Sequence, residues 1–231
     1  MTRMTNARIA GFTFLFYIAA GVPSMILFGR ATRGDTIAAQ LASLAQHVTD
    51  VRLDTLLSLA MCFSALVLGV TLYAITRDQD RDLATLALVC RVGEGLVGIG
   101  TPVALAVLWL ATATGPDAPD PGTARALATF LFKLGGWKTL ICATLFAVGS
   151  TLFSWLMLRG RMIPAPLAGL GVLASLLLVV GLPLRLAGFL DATVAGYMWI
   201  PMAAFEIPLA FWLLIRGVAP PVPAAVAARR S

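Results

Sequence analysis

The sequence predicts an all-α fold, a polytopic transmembrane bundle of six helices with one or two short amphipathic helices on its outer surface. Three observations predict it. Hydrophobic residues make up 59% of the 231 positions and charged residues only 12%, against about 45–50% and 25% in a soluble domain. The mean hydropathy is +0.91. The apolar residues fall in six blocks of the length that one helix needs to cross hydrocarbon, about 20 residues. This pattern excludes a soluble globular domain, a disordered chain, a collagen and a disulfide scaffold.

The blocks are Ile9–Phe28, Leu53–Ile75, Leu83–Leu110, Trp137–Leu158, Pro166–Leu186 and Met198–Ile215. In lipid every backbone polar group must be satisfied within its own segment, so each block reads as a helix. Transmembrane strands would alternate polar and apolar residues, and these blocks do not. Arg3 and Arg8 precede the first block and Ala19-Ala20-Gly21 is small, as in a cleaved leader. The apolar run nevertheless exceeds the usual leader core, so it is read as a span. Two connecting segments carry helical periodicity. In Asp35–Val48 the residues Ile37, Leu41, Leu44 and Val48 share a face, with Asp35 as the expected N-cap. In Thr123–Leu134 the residues Leu127, Phe130, Leu131 and Leu134 do the same. Each is either a surface helix or extra turns of its neighbouring span. Residues 1–218 are read as one six-helix domain, and the proline-bearing 219–231 as a disordered cytoplasmic tail.

The formal charge is +6, from 17 Lys and Arg against 11 Asp and Glu. In a chain this apolar, the excess reads as loop arginines obeying the positive-inside rule, and no nucleic-acid partner is expected. The tight basic loops Arg77–Asp82 and Arg159–Arg161, with Arg3, Arg8, Arg216, Arg229 and Arg230, put both termini on the cytoplasmic side of a cell inner membrane. Trp109, Trp137, Tyr197 and Trp199 then mark outer span ends, where an amphipathic ring sits half wet. Cys62, Cys90 and Cys142 lie inside apolar blocks without CxxC spacing, and His47 is the single histidine. Neither a metal site nor a cofactor is expected from such a ligand supply.

A charge at the bilayer centre costs at least about 2.5–3.5 kcal/mol, so each one needs a reason. The third span holds Arg91 and Glu94, three apart and on one helix face. The sixth holds Glu206. Counted from inner ends at Leu83 and Ile215, the two glutamates lie about 16 Å and about 14 Å deep, near the midplane. Two acids sharing one guanidinium leave one net negative charge if all ionise. One carboxyl is therefore expected to hold a proton, which makes Glu94 and Glu206 the candidate catalytic acids. Arg91, Glu94 and Glu206 are also the candidate ligand-binding set. The bland reading is an inter-helix clamp. Pro102, Pro183 and Pro208 free the carbonyls of Gly98, Val179 and Ala204, interrupting the backbone nearby. Arg52, Asp54, Lys133, Lys138 and Arg185 lie toward predicted outer ends. Of these, Arg52, Lys138 and Arg185 are candidates to attract an anionic headgroup, against the commoner role of snorkelling to the interface. Gly93-Glu94-Gly95-Leu96-Val97-Gly98 matches G-x-G-x-x-G, but inside a span, without the preceding strand that a dinucleotide fold requires. These glycines instead read as a close helix approach.

Ala7-Arg8-Ile9-Ala10-Gly11-Phe12 resembles the opening of bacterial six-helix proteins grouped as a domain of unknown function, the 4386 family. Arg91-x-x-Glu94, the stretch from Arg159 to Pro164, and Glu206 to Val218 with Phe211-Trp212-Leu213-Leu214-Ile215-Arg216-Gly217-Val218 resemble it too. The chain departs from that pattern around Lys133–Lys138. The resemblance implies an integral membrane protein with six helices, and no established reaction. Three functions are therefore weighed. The first is binding or moving a small or lipid-like ligand at a midplane polar pocket. The second is an intramembrane enzyme using a protonated glutamate on an isoprenoid-like substrate, as in acid-driven cyclisation. The third is a structural or regulatory membrane partner whose charges only clamp helices.

Overall fold

Apolar sequence with its backbone groups satisfied internally can only be helical, and a computed structural model of the protein, describing residues 1–114 and 118–220, is helical throughout. Among the described residues there are nine helices and no strand. They are α1 (Arg3–Ala31), α2 (Ile37–Gln46), α3 (Val48–Thr76), α4 (Arg81–Gly98), α5 (Gly100–Leu110), α6 (Pro121–Arg159), α7 (Ala165–Leu186), α8 (Ala192–Tyr197) and α9 (Trp199–Ile215). Taking α4 with α5 and α8 with α9, six helices are long and apolar enough to cross a membrane.

The two amphipathic segments resolve differently. Ile37–Gln46 is a separate helix, and its N-cap is Thr36 rather than Asp35. The Thr36 side chain accepts from the Ala39 amide at 3.2 Å, because its one-residue offset places the oxygen over the third helical N–H. Thr123–Leu134 is not a surface helix but the start of α6, which runs for 39 residues. At 1.5 Å per residue α6 is about 58 Å long, well beyond a hydrocarbon core of about 30 Å. Asp120 starts it, accepting from the Gly122 amide at 2.9 Å, the Thr123 amide at 3.1 Å and the Thr123 hydroxyl. The Thr123 hydroxyl, with these amides, holds the Asp120 carboxyl below its ordinary range.

Two spans break, and both do so three residues ahead of a proline. The third stops at Gly98 and restarts at Gly100, before Pro102. The sixth stops at Tyr197 and restarts at Trp199, before Pro201. Each proline lacks the N–H that would reach back four residues, so the ladder loses a rung there. Pro183 and Pro208, expected to interrupt their spans, lie inside continuous α7 and α9. Pro201, at the head of its apolar block, is not among the expected interruptions.

The chain divides into two compact units. One comprises Met1–Phe16, Ser64–Gly95 and the chain from Leu140 onward; the other comprises Tyr17–Phe63 and Leu96–Thr139. The first has a core that includes Phe14, Leu68, Phe153, Leu178, Phe205 and Leu213, in which α7 packs on α9. Gly11 sets the approach of α1 to α9: a Cβ there would lie 2.6 Å from the Ala210 carbonyl oxygen and the Leu214 nitrogen. No other residue fits such a backbone contact, the usual way membrane helices come close. The second unit has a smaller core of Ala31, Leu44, Val51, Leu105, Leu108 and Ala128, where α2 packs on α5. Of the expected 219–231 tail, positions 221–231 lie outside the described residues.

Candidate functional site

Arg91 and Glu94 lie on one face of α4, in the first unit, and are 1% and 2% exposed. Three residues is nearly one helical turn, so the side chains meet. Arg91 Nη1 stands 2.8 Å from Glu94 Oε2. The two atoms form an ion pair whose N–H direction misses the oxygen, so neither gains a hydrogen bond from it. Arg91 Nε and Nη2 are buried and meet no hydrogen-bond acceptor among the described residues.

The surroundings explain how so long a side chain fits. Its stem passes Gly69 of α3, where a Cβ would lie 3.0 Å from Arg91 Cβ. On the α6 side it passes Gly149, where a Cβ would lie 3.2 Å from Arg91 Cγ and Cδ. The guanidinium sits 4.9 Å from the centre of the Phe146 ring, a distance at which the ring's negative face attracts a cation. Phe146 in turn leans on Trp199 at the start of α9, with centroids 5.8 Å apart. Cys142 donates to the Glu94 carbonyl oxygen at 3.3 Å. Gly93 meets α6 by the same logic, a Cβ there lying 3.3 Å from Leu145 Cδ1.

Glu206 is half-buried on α9, next to the fully buried Phe205. It lies within Coulombic reach of both Arg91 and Glu94. Four helices, α3, α4, α6 and α9, thus converge on these charges.

The other three ligand candidates lie on α3, α6 and α7. Arg185 is on α7, and its side chain makes no ion pair or hydrogen bond among the described residues. Arg52 and Lys138 belong to the second unit. Arg52 is exposed and stacks on Trp109, 5.2 Å from the ring centre. Lys138 donates to the Thr101 hydroxyl, and its stem packs where a Cβ on Gly100 would lie 3.0 Å away.

Asp54, expected near an outer end with those cations, is in fact 1% exposed. Its carboxylate accepts from Ser24 of α1, and from Ser58 at 3.4 Å, and Lys138 lies within Coulombic reach. The spacing Asp54-x-x-x-Ser58 is a one-turn pair visible in the sequence. Ser24 comes from another helix, and no local pattern announces it. Among the described residues no group of three or more His, Cys, Asp and Glu side chains could hold a metal.

The family model described as "Domain of unknown function (DUF4386)" matches residues 9–217. No curated protein and no solved structure matches the chain.

Proposed function

From the premise that the chain belongs to the DUF4386 family, a family of membrane-spanning helices without an established reaction, we propose that it binds or moves a small or lipid-like ligand at Arg91, Glu94 and Glu206. One observation carries the reading: Arg91 keeps Nε and Nη2 buried with no acceptor. An unmade hydrogen bond at a buried donor costs about 1–3 kcal/mol, more for a charged group, and a ligand oxygen would remove that cost. Glu206 stands on the far helix as an acceptor for a ligand's donor. A hydroxyl both donates and accepts, so a molecule with one hydroxyl and an apolar body matches the charges and the Phe146 ring beside Arg91 alike. The basic loops around Arg77–Asp82 and Arg159–Arg161 support an inner-membrane location with cytoplasmic termini.

A second reading has its own observation. The Arg91 stem is gripped by Gly69 and Gly149, and its guanidinium is covered by Phe146, as in a pure helix clamp. Mass spectrometry of small molecules co-purifying with wild type and with Glu94→Gln separates the two. A molecule carried by the wild type and lost from a folded variant supports binding. Identical extracts from two folded proteins support the clamp. A chemically altered polyprenyl compound, formed only by the wild type, would instead make the glutamates catalytic.

A further inference from the structure

The turn after α6 is a Schellman cap, in which the chain reverses through one left-handed residue. Arg161 N donates to the Leu158 carbonyl at 3.1 Å and Met162 N to the Met157 carbonyl at 3.0 Å. The left-handed residue is Arg161, with φ of 48°. The cap after α7 has the same two bonds, Gly188 N to the Arg185 carbonyl at 3.0 Å and Phe189 N to the Leu184 carbonyl at 2.9 Å. There the left-handed residue is Gly188, with φ of 84°. The positive φ just after α9 is likewise at a glycine, Gly217. Glycine adopts this conformation without a Cβ clash, whereas arginine does not. Arg161 is the only non-glycine with positive φ among the described residues.

Nothing among the described residues accounts for the arginine. Its side chain is exposed and makes no hydrogen bond or ion pair among the described residues. The rest of the turn is held fast. Met162 is buried, faces Arg3 through its sulfur at 3.6 Å, and its carbonyl accepts from Ala219 N at 2.9 Å. The neighbouring Arg159 is occupied by Asp80 at 3.7 Å. Arg3 is occupied by Asp78 at 3.2 Å and by the Ile75 carbonyl at 2.7 Å. These contacts bring the start of α1, the α3–α4 turn, the α6–α7 turn and the chain after α9 to one end of the first unit. At or next to that end Arg8, Arg81 and Arg216 are also exposed and without an ion pair among the described residues. In a protein whose helices span a bilayer, the ends of those helices stand at headgroup level.

We propose that Arg161 binds the phosphate of an anionic phospholipid headgroup, with Arg8, Arg81 and Arg216 as further cations on the same lipid-facing end. The positive charge is the part of the residue that a glycine could not supply, and a cation held at headgroup level attracts an anionic phosphate. The test uses the full-length protein in neutral detergent, as wild type, Arg161→Gly and Arg161→Lys. Phosphatidylglycerol or phosphatidylcholine is added, with bound lipid counted by native mass spectrometry and melting followed in parallel. Arg161→Gly is expected to retain at least twofold less phosphatidylglycerol, to bind phosphatidylcholine unchanged, and to melt no lower than wild type without lipid. Arg161→Lys is expected to retain phosphatidylglycerol. The proposal is overturned by equal phosphatidylglycerol retention in wild type and Arg161→Gly, or by its loss from Arg161→Lys as well. A lower lipid-free melting point for Arg161→Gly overturns it too, since the side chain would then serve the fold.

Discussion

Each unit of the molecule buries a charge, and the two treat it differently. In the second unit Asp54 is surrounded by donors suited to a carboxylate, the hydroxyls of Ser24 and Ser58. In the first, Arg91 is surrounded by an aromatic face, two glycines and a single oblique carboxylate, and keeps two of its nitrogens without acceptors. A buried polar group with its partners in place stabilises one arrangement of the chain. One with partners missing stores free energy that a further molecule can release. Under the proposed function, the contrast separates a polar group that serves the fold from one that would serve a ligand.

Removing the guanidinium should have the largest effect. Arg91→Met removes the guanidinium that pairs with the buried Glu94 carboxylate and should destabilise the protein by about 3–5 kcal/mol. The double variant Arg91→Met with Glu94→Leu should recover most of that loss in thermal unfolding, while still failing to hold any ligand. If the double variant stays as unstable as the single, the pair is a packing element and the contrast fails. Asp54→Ala should cost less, about 1–3 kcal/mol, because the two hydroxyls it strands can turn toward backbone carbonyls. Asp54→Asn keeps an acceptor and should lie nearer wild type. A loss for Asp54→Ala equal to that of Arg91→Met would erase the distinction between the units.

Glu206→Gln should change stability least of the charged replacements at the first site, since Glu206 is half-buried and makes no ion pair among the described residues. It should still reduce the amount of co-purifying ligand several-fold. Unchanged ligand would confine the site to α4. The smallest effect concerns the start of α6. Asp120 is more acidic in the folded chain than unfolded, so its contribution is present above the ordinary carboxylate range, about pH 3.9. It is lost as pH falls through the lower, folded value. Hydrogen exchange at the Gly122 and Thr123 amides, corrected for intrinsic rates, should therefore speed up at acid pH, and Asp120→Ala should show that faster exchange already at neutral pH.

Local pattern carries a good part of this architecture. The six spans follow from apolar run length, which bilayer thickness constrains tightly. The Arg91–Glu94 contact follows from a spacing of three on a helix. The rest depends on which helices become neighbours. Nothing local to Gly69, Phe146 or Gly149 says that all three will line one arginine, and Ser24 lies 30 positions from the acid it bonds. Asp35 and Thr36 are both good caps for α2, and only the register of the first turn chooses the threonine. Thr123–Leu134 carries the periodicity of a separate helix, and Gly135-Gly136 before Trp137 reads as its stop, yet α6 runs unbroken through both glycines.

The interruption ahead of Pro201 gives the last span a joint. Glu206 lies seven residues beyond Trp199, about 10 Å along the axis. A swivel of about 10° at that joint would displace its carboxylate by about 2 Å. Such a movement decides whether an oxygen sits within or beyond bonding range of a guest. On the proposed reading of Glu206 as a ligand acceptor, the missing rung would act as a lever arm, turning a slight flexing of the main chain into an opened or closed grip.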